Sequence, residues 1–477
     1  MTHDFEGPVV WRGEPGYEQL RQEMVWNALK PDRYPEAIVR AAGDQDVVAV
    51  VGLARSRDLQ VAMRAGGHSW IGSPLRDDTI LIDLSTRRSM EVDEASATAI
   101  VEPAVTSAEV ASLLARHDLA FPVGHCGSVG MGGYLLSGGL GWNSGAWGPA
   151  CASVIAVDVV TPDGELVHAT NDENAELLWA ARGAGPGFPG VVVRFHLALQ
   201  PLPGAITTTT HVYDLADLDE VAPWASGVAA GLPSTVEMTV LLTEAGQDLP
   251  GDWARKAAVV TATSFAETAI AGRADLVPFG TSPLRHRALV VRELEPSPYG
   301  VLFRNFGGRW REGCRFASDN LWTEGDLTDA LLALRPALLE APSPSSFAFA
   351  SMSPEVADDA PEVALPDMAF SMYARTFAAA YAMWDDPKAD GANLTWLPAA
   401  VATLEHEATG HYVGEADLRA AATRAPRSFT DASWARLQDL RRRIDPDGLF
   451  VSYPTPDDQP RRGRGAARSE GLEPSTS

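Results

Sequence analysis

Between Gly124 and Gly141 the chain reads GHCGSVGMGGYLLSGGLG, eight glycines in eighteen residues, a composition that no helix or strand interior tolerates cheaply. A backbone this bare either takes positive φ repeatedly or approaches something closely, and a large ligand accounts for both. Set into the stretch is one thiol, Cys126. Fifty-eight residues earlier, Arg64-Ala65-Gly66-Gly67-His68-Ser69 places a single imidazole behind two glycines. Each feature alone has a plainer reading: a glycine-rich surface loop, a loop histidine, a buried inert thiol. Together they make His68 and Cys126 the candidates for attaching a cofactor.

The chain has 477 residues, enough for two or three domains with cores of their own. Its formal charge of -25 argues against nucleic acid or an anionic membrane as the main partner, since both would repel it. Three cysteines, Cys126, Cys151 and Cys314, are too few and too odd in number for a disulfide framework, and no CxxC pair suggests zinc, so no metal is expected. A cytoplasmic setting follows as the expectation. The N-terminus lacks a basic region followed by an apolar one, and no apolar run is long enough to span a bilayer.

Taken in order, the pattern predicts a short helix from Tyr17, a strand at Glu36–Val39, a helix over Asp44–Arg57 and a strand at Val61–Arg64, a β-α-β unit. Strands are expected at Thr79–Leu84 and Thr98–Glu102, and Thr106 with Glu109 opens a helix. A hairpin turning on Pro162-Asp163-Gly164 follows, then a helix through Trp179 capped by Asn171 or Asp172, and a long strand from Val191 to Leu199. Pro201-Leu202-Pro203 marks a boundary. Beyond it strand-like runs (Thr207–Val212, Val236–Leu242, Ala257–Thr263, Ser371–Arg375) alternate with helix-like ones (Leu327–Arg335, Thr376–Trp384), which predicts an α+β second domain with an antiparallel sheet covered by helices. Ser433–Ile444 is a last, basic helix. The divisions expected are 1–203, 204–425, 426–455 and a disordered tail from 456 to 477.

Gly185-Pro-Gly187-Phe-Pro-Gly190 matches GxGxxG, but a proline precedes its last glycine and a β-branched strand follows, so no helix opens there to receive a pyrophosphate. A different resemblance is carried by RAGGHS at 64–69, by Gly124-x-Cys126-x-x-Val129-Gly130-x-Gly132-Gly133 with Ser137-Gly138-Gly139-Leu140-Gly141, and by NAELLWAARGAG at 174–185. In this order they resemble the berberine bridge enzyme-like FAD-linked oxidases, flavoproteins of the vanillyl-alcohol oxidase type. The likeness runs over most of residues 8–200 and resumes at about 370–450.

The resemblance implies a two-part FAD-binding domain and a substrate domain. It also implies FAD held twice, the 8α-methyl on His68 and C6 of the isoalloxazine on Cys126. Around the cofactor it implies Arg64, Ala65, Gly66, Gly67, Ser69, Gly124, Gly130, Gly132, Gly133, Gly138, Gly139, Gly141, Gly190 and Val191. The residue types suit the task. A thiolate attacks an electron-poor ring, a neutral imidazole offers a lone pair, and bare glycine amides line a cofactor without clash. Val129 falls where valine accompanies oxidases in this family, which implies dioxygen as acceptor. The Tyr-x-Asn expected near the flavin reads Tyr412-Val-Gly414 here, and Gly448 replaces the asparagine of DPxNxF, so the base is not inherited. Tyr373 and Tyr412 are its candidates. The expected activity is an oxidase that moves hydride from a C–H of an alcohol, hemiacetal or amine to flavin N5 and yields hydrogen peroxide. A dehydrogenase with another acceptor and a non-redox flavin-containing carrier stay open.

Overall fold

The computed structural model describes residues 5–244, 256–307, 310–353 and 365–456, so the tail expected to be disordered lies, from residue 457 on, outside the described residues. The first sheet places Thr79–Asp83 between Ala37–Arg40 and Gln60–Arg64, parallel to both, with Val9–Trp11 antiparallel at one edge. Val47, Val50, Val51 and Ala54 form one face of the helix Asp44–Arg57 and pack on Ile80 and Ile82 of the central strand. This is the expected β-α-β unit, with a third strand between its two.

The second sheet is antiparallel throughout, in the order Met90–Asp93, Thr98–Val101, Val191–Ala198, Val154–Val160, Leu166–Ala169. Thr106 and Glu109 close a reciprocal cap on the helix Ser107–Leu114, each side chain bonding the other's backbone N–H. The cap of the helix Ala175–Ala181 corrects the sequence reading. It is Asn174, at φ 51°, while Asp172 and Glu173 turn toward the Thr170 hydroxyl and Asn171 accepts from Arg182.

An eight-stranded antiparallel sheet follows, in the order Val290–Pro296, Ala205–Asp214, Lys256–Ala266, Val236–Glu244, Phe347–Met352, Thr376–Trp384, Arg315–Thr323, Ala408–Gly410. Helices Leu218–Ala229, Leu327–Leu339 and Asp390–Ala402 share one core with it. Thr376–Trp384, expected as a helix, is a strand between two partners. Its Ala378, Ala380 and Ala382 meet the helices, and its Phe377, Ala379 and Tyr381 join the aromatic cluster on the opposite face. With both faces covered, the run shows no alternation of polarity. Ser371–Arg375, expected as a strand, belongs to no strand, and the paired strand begins only at Thr376.

The chain then returns to where it began. Thr430 caps the helix Asp431–Ile444, Asp445 accepts from the backbone N–H of Leu449 and Phe450, and Phe450 forms a parallel bridge to Val61 in the first sheet.

Candidate functional site

The RAGGHS loop leaves the strand Gln60–Arg64, whose last residue is fixed by its guanidinium on Asp83, 2.9 Å away. Beside it runs the glycine-rich stretch, which bridges to Thr106 through Gly130. The two backbones meet at Gly66 and Gly130: a Cβ on Gly66 would stand 2.9 Å from the Gly130 nitrogen, and one on Gly130 3.1 Å from the Gly66 nitrogen. Only glycine at both positions allows this approach, and it brings the His68 loop against the Cys126 loop. The contact continues in the side chain, since His68 hydrogen-bonds the backbone of Ser128.

His68 stacks on Trp26, ring centroids 5.0 Å apart, and Trp26 stacks on Phe316 of the large sheet at 4.6 Å. Burial, reinforced by the nearby Arg64 guanidinium, lowers the imidazole to about 4, so the ring is neutral near pH 7 and keeps a lone pair. Cys126 is half-buried, and its sulfur lies 3.3 Å from the Ser128 hydroxyl.

A cavity of about 610 Å³ opens between these loops and the large sheet. Arg64 to Ser69, Gly124, Cys126, Val129, Gly130, Gly132, Gly133 and Gly141 all line it, as do Tyr373 and Tyr412. Gly138, Gly139, Gly190 and Val191 are not among its lining residues. Gly138 packs against Phe370, and the Gly139 and Leu140 amides hydrogen-bond the Tyr412 hydroxyl. Gly190 lies against Val159, Val191 is in the first-sheet core, and the next residue, Val192, reaches the cavity. Tyr412 is 6% exposed and Tyr373 48%, and burial raises both phenols.

Sequence reasoning missed two ionisable pairs on the same walls. His125 Nε2 lies 2.5 Å from Glu237 Oε1. Burial would lower this imidazole, but the Glu237 carboxylate outweighs burial and its pKa is raised. Tyr381 donates to Glu415 Oε2 at 2.5 Å, and burial raises both groups, the phenol further through the carboxylate beside it. The second signal was present in the sequence, since Glu415 follows the departing Tyr412-Val-Gly414 directly. The first was not, because partners 112 residues apart meet only across the fold. Trp70, Trp310, Phe347 and Phe349 complete an aromatic wall, and Trp322 lines it too, its buried indole N–H without a hydrogen-bond partner among the described residues. Away from the cavity Asp158 gathers His168 and His196, yet Arg194 already holds its other oxygen at 2.5 Å.

The model of the FAD binding domain family matches residues 35–170. The FAD-linked oxidoreductase janO of Penicillium janthinellum is 31% identical over 451 residues, spanning 93% of this chain and 96% of its own. In structure the chain is similar to 6-hydroxy-D-nicotine oxidase from Arthrobacter nicotinovorans, with TM-score 0.81, 20% identity and coverage of 94% and 97% of the two chains. Berberine bridge enzyme from Eschscholzia californica superposes at TM-score 0.78 and 19% identity, with coverage of 94% and 97%.

The cavity itself fits FAD. A neutral imidazole and a thiol share its lining, and a Cβ on Gly133 would project into space where no atom lies within 4 Å. With relatives of this identity and length, the chain belongs to the FAD-linked oxidoreductases, and it has the fold of berberine bridge enzyme, that of the vanillyl-alcohol oxidase type.

Proposed function

We propose that this enzyme is an oxidase in which His68 and Cys126 both hold FAD covalently, acting on an alcohol, hemiacetal or amine of secondary-metabolite size with dioxygen as acceptor. The observation that carries this reading is the shared lining, an unprotonated imidazole and a thiol in one cavity, joined through the Gly66–Gly130 approach. FAD supplies a hydride acceptor that dioxygen can reoxidise to give hydrogen peroxide. The chain's residues do the rest. Trp26 and the Ser128 backbone fix the His68 ring in place. Gly133, where a Cβ would meet nothing within 4 Å, receives the cofactor without side-chain clash, and Gly124, Gly130, Gly132 and Gly141 extend the same surface.

On the substrate side, a base within hydrogen-bond reach must take the O–H or N–H proton as hydride departs. Tyr412, whose hydroxyl accepts from the Gly139 and Leu140 amides, and Tyr373 are lining candidates for it. Val129 lines the cavity three residues after Cys126, which suits the oxygen access its position implies. Within this reading residues 1–203 and 426–455 hold the cofactor and 204–425 face the substrate. Three free thiols agree with a cytoplasmic setting, and no helix among the described residues is long and apolar enough to cross a membrane.

Acid precipitation tests the attachment. Yellow colour should stay with the pellet, and peptides holding His68 and Cys126 should carry the mass of FAD. Cys126→Ala should retain flavin through one link, and His68→Ala combined with Cys126→Ala should release it to the supernatant. Covalent flavin in the double variant would overturn the assignment.

A further inference from the structure

Glu415 is a carboxylate in the cavity wall without a cation in contact among the described residues. Its side-chain partner is a neutral phenol, Tyr381, at 2.5 Å. The imidazole whose charge it feels, His125, is already held by Glu237 at 2.5 Å. Of the two guanidinium groups on the lining, Arg64 is committed to Asp83, and Arg292 stands on the edge strand Val290–Pro296, five positions across the sheet from the strand that carries Tyr381. Among the described residues Glu237 and Glu415 share one imidazole, His125, which is in contact with Glu237 alone, so the ionised pair is one cation short, and charge withdrawn from water calls for a counterion.

The surroundings specify what kind of counterion fits. Tyr381, Trp70 and Trp310 form a three-ring cluster, with centroids 5.6 Å (Trp70–Tyr381), 5.4 Å (Trp310–Tyr381) and 5.3 Å (Trp70–Trp310) apart. All three line the cavity with Glu415. Aromatic faces carry negative electrostatic potential and are poorly matched to a hydrated metal ion or an anion. Beside a carboxylate they favour an organic cation, whose charge is spread over an apolar surface.

We propose that the cavity selects a cationic amine, its nitrogen seated on the Glu415 carboxylate against the rings of Trp70, Trp310 and Tyr381. This deepens the oxidase reading and rests on it for the claim that the bound amine is the substrate. For a protonated amine the same contact supplies a proton acceptor: the N–H bond breaks, an O–H bond forms on Glu415, and the lone pair returns to nitrogen.

Calorimetric binding to the purified holoenzyme at pH 8 tests the selection with three probes of one shape. These are N-methylquinolinium (cation), quinaldine (neutral) and quinaldate (anion). The cation should bind about tenfold or more tighter than quinaldine, a difference within the range of a desolvated cation–π and carboxylate site. Glu415→Gln should abolish this preference while leaving quinaldine affinity within about twofold, and Tyr381→Phe should keep it. Equal binding of quinaldine or quinaldate by the wild type, which needs no variant to fold, would overturn the proposal, as would a preference that survives Glu415→Gln. Flavin absorbance of the same samples separates the two readings. A cation preference in colourless protein sinks the oxidase and leaves the site, whereas yellow protein without the preference sinks the site alone.

Discussion

Val129 shows how one methylene can be placed in this site without moving the backbone. Its N–H bonds the Cys126 carbonyl at 3.2 Å and its carbonyl accepts from Ser107 N–H at 2.9 Å, so both sides of the residue are fixed. The side chain lines the cavity, and leucine would extend into it. Under the oxidase reading Val129→Leu should slow flavin reoxidation by dioxygen about tenfold or more, equivalent to about 1.4 kcal/mol of barrier. Reduction by substrate should stay nearly unchanged. Stopped-flow measurement of the two half-reactions reads these separately, and equal slowing of both would mean that the residue shapes the substrate pocket instead. That Val129, His68 and Cys126 share one lining was legible in the sequence because short motifs carry them. How far burial, with the Arg64 guanidinium nearby, lowers the His68 pKa was not, since the fold sets the depth of burial.

The strand Arg315–Thr323 and the segment that follows Gly410 are joined by a charged network whose pH response has two opposed parts. Asp319 meets Arg424 at 2.9 Å and accepts from the N–H groups of Asn320 and Asp417. Burial raises its carboxyl to about 6 despite the guanidinium. His411 lies 2.7 Å from the Asn320 carbonyl, and burial, then Arg424, lowers it to about 4. Between pH 4 and 6 the folded state therefore holds the Asp319 proton that the unfolded chain releases, and stability falls as pH rises. Over the same window the unfolded chain holds the His411 proton that the folded state refuses, and stability rises. Relative to wild type, Asp319→Asn should make stability climb more steeply with pH across this window, by up to about 1.4 kcal/mol per unit, and His411→Asn should tilt it the other way. Urea midpoints at half-unit steps would show it, and parallel profiles for all three proteins would refute it. The sheet that holds this strand exposes the limits of sequence patterning. The strand-like runs Val236–Leu242 and Ala257–Thr263 lie within the strands Val236–Glu244 and Lys256–Ala266, but Thr376–Trp384 lies under helices on one face and aromatic rings on the other, so its alanines read as helix.

At the scale of the molecule the cavity has walls from segments far apart in the chain, stitched by a few buried polar contacts. Asn27, fully buried, exchanges two hydrogen bonds with the Phe316 backbone (2.7 and 2.9 Å) and donates a third to the Trp70 carbonyl. His125 and Glu237 make a second stitch, and Phe450 on Val61 ties the chain's return to the first sheet. A ligand that touches both walls adds to these stitches, so cofactor occupancy and stability are one equilibrium. Where FAD is covalent, added FAD cannot change that equilibrium, and the wild-type melting temperature should not depend on it. In the protein with both His68→Ala and Cys126→Ala the melting temperature should drop and then recover with FAD concentration, by about 2.7 kcal/mol of stability at a hundredfold excess over Kd. A double variant that melts as the wild type does, indifferent to millimolar FAD, would show that the space between the glycine loops and the large sheet is not closed by this cofactor.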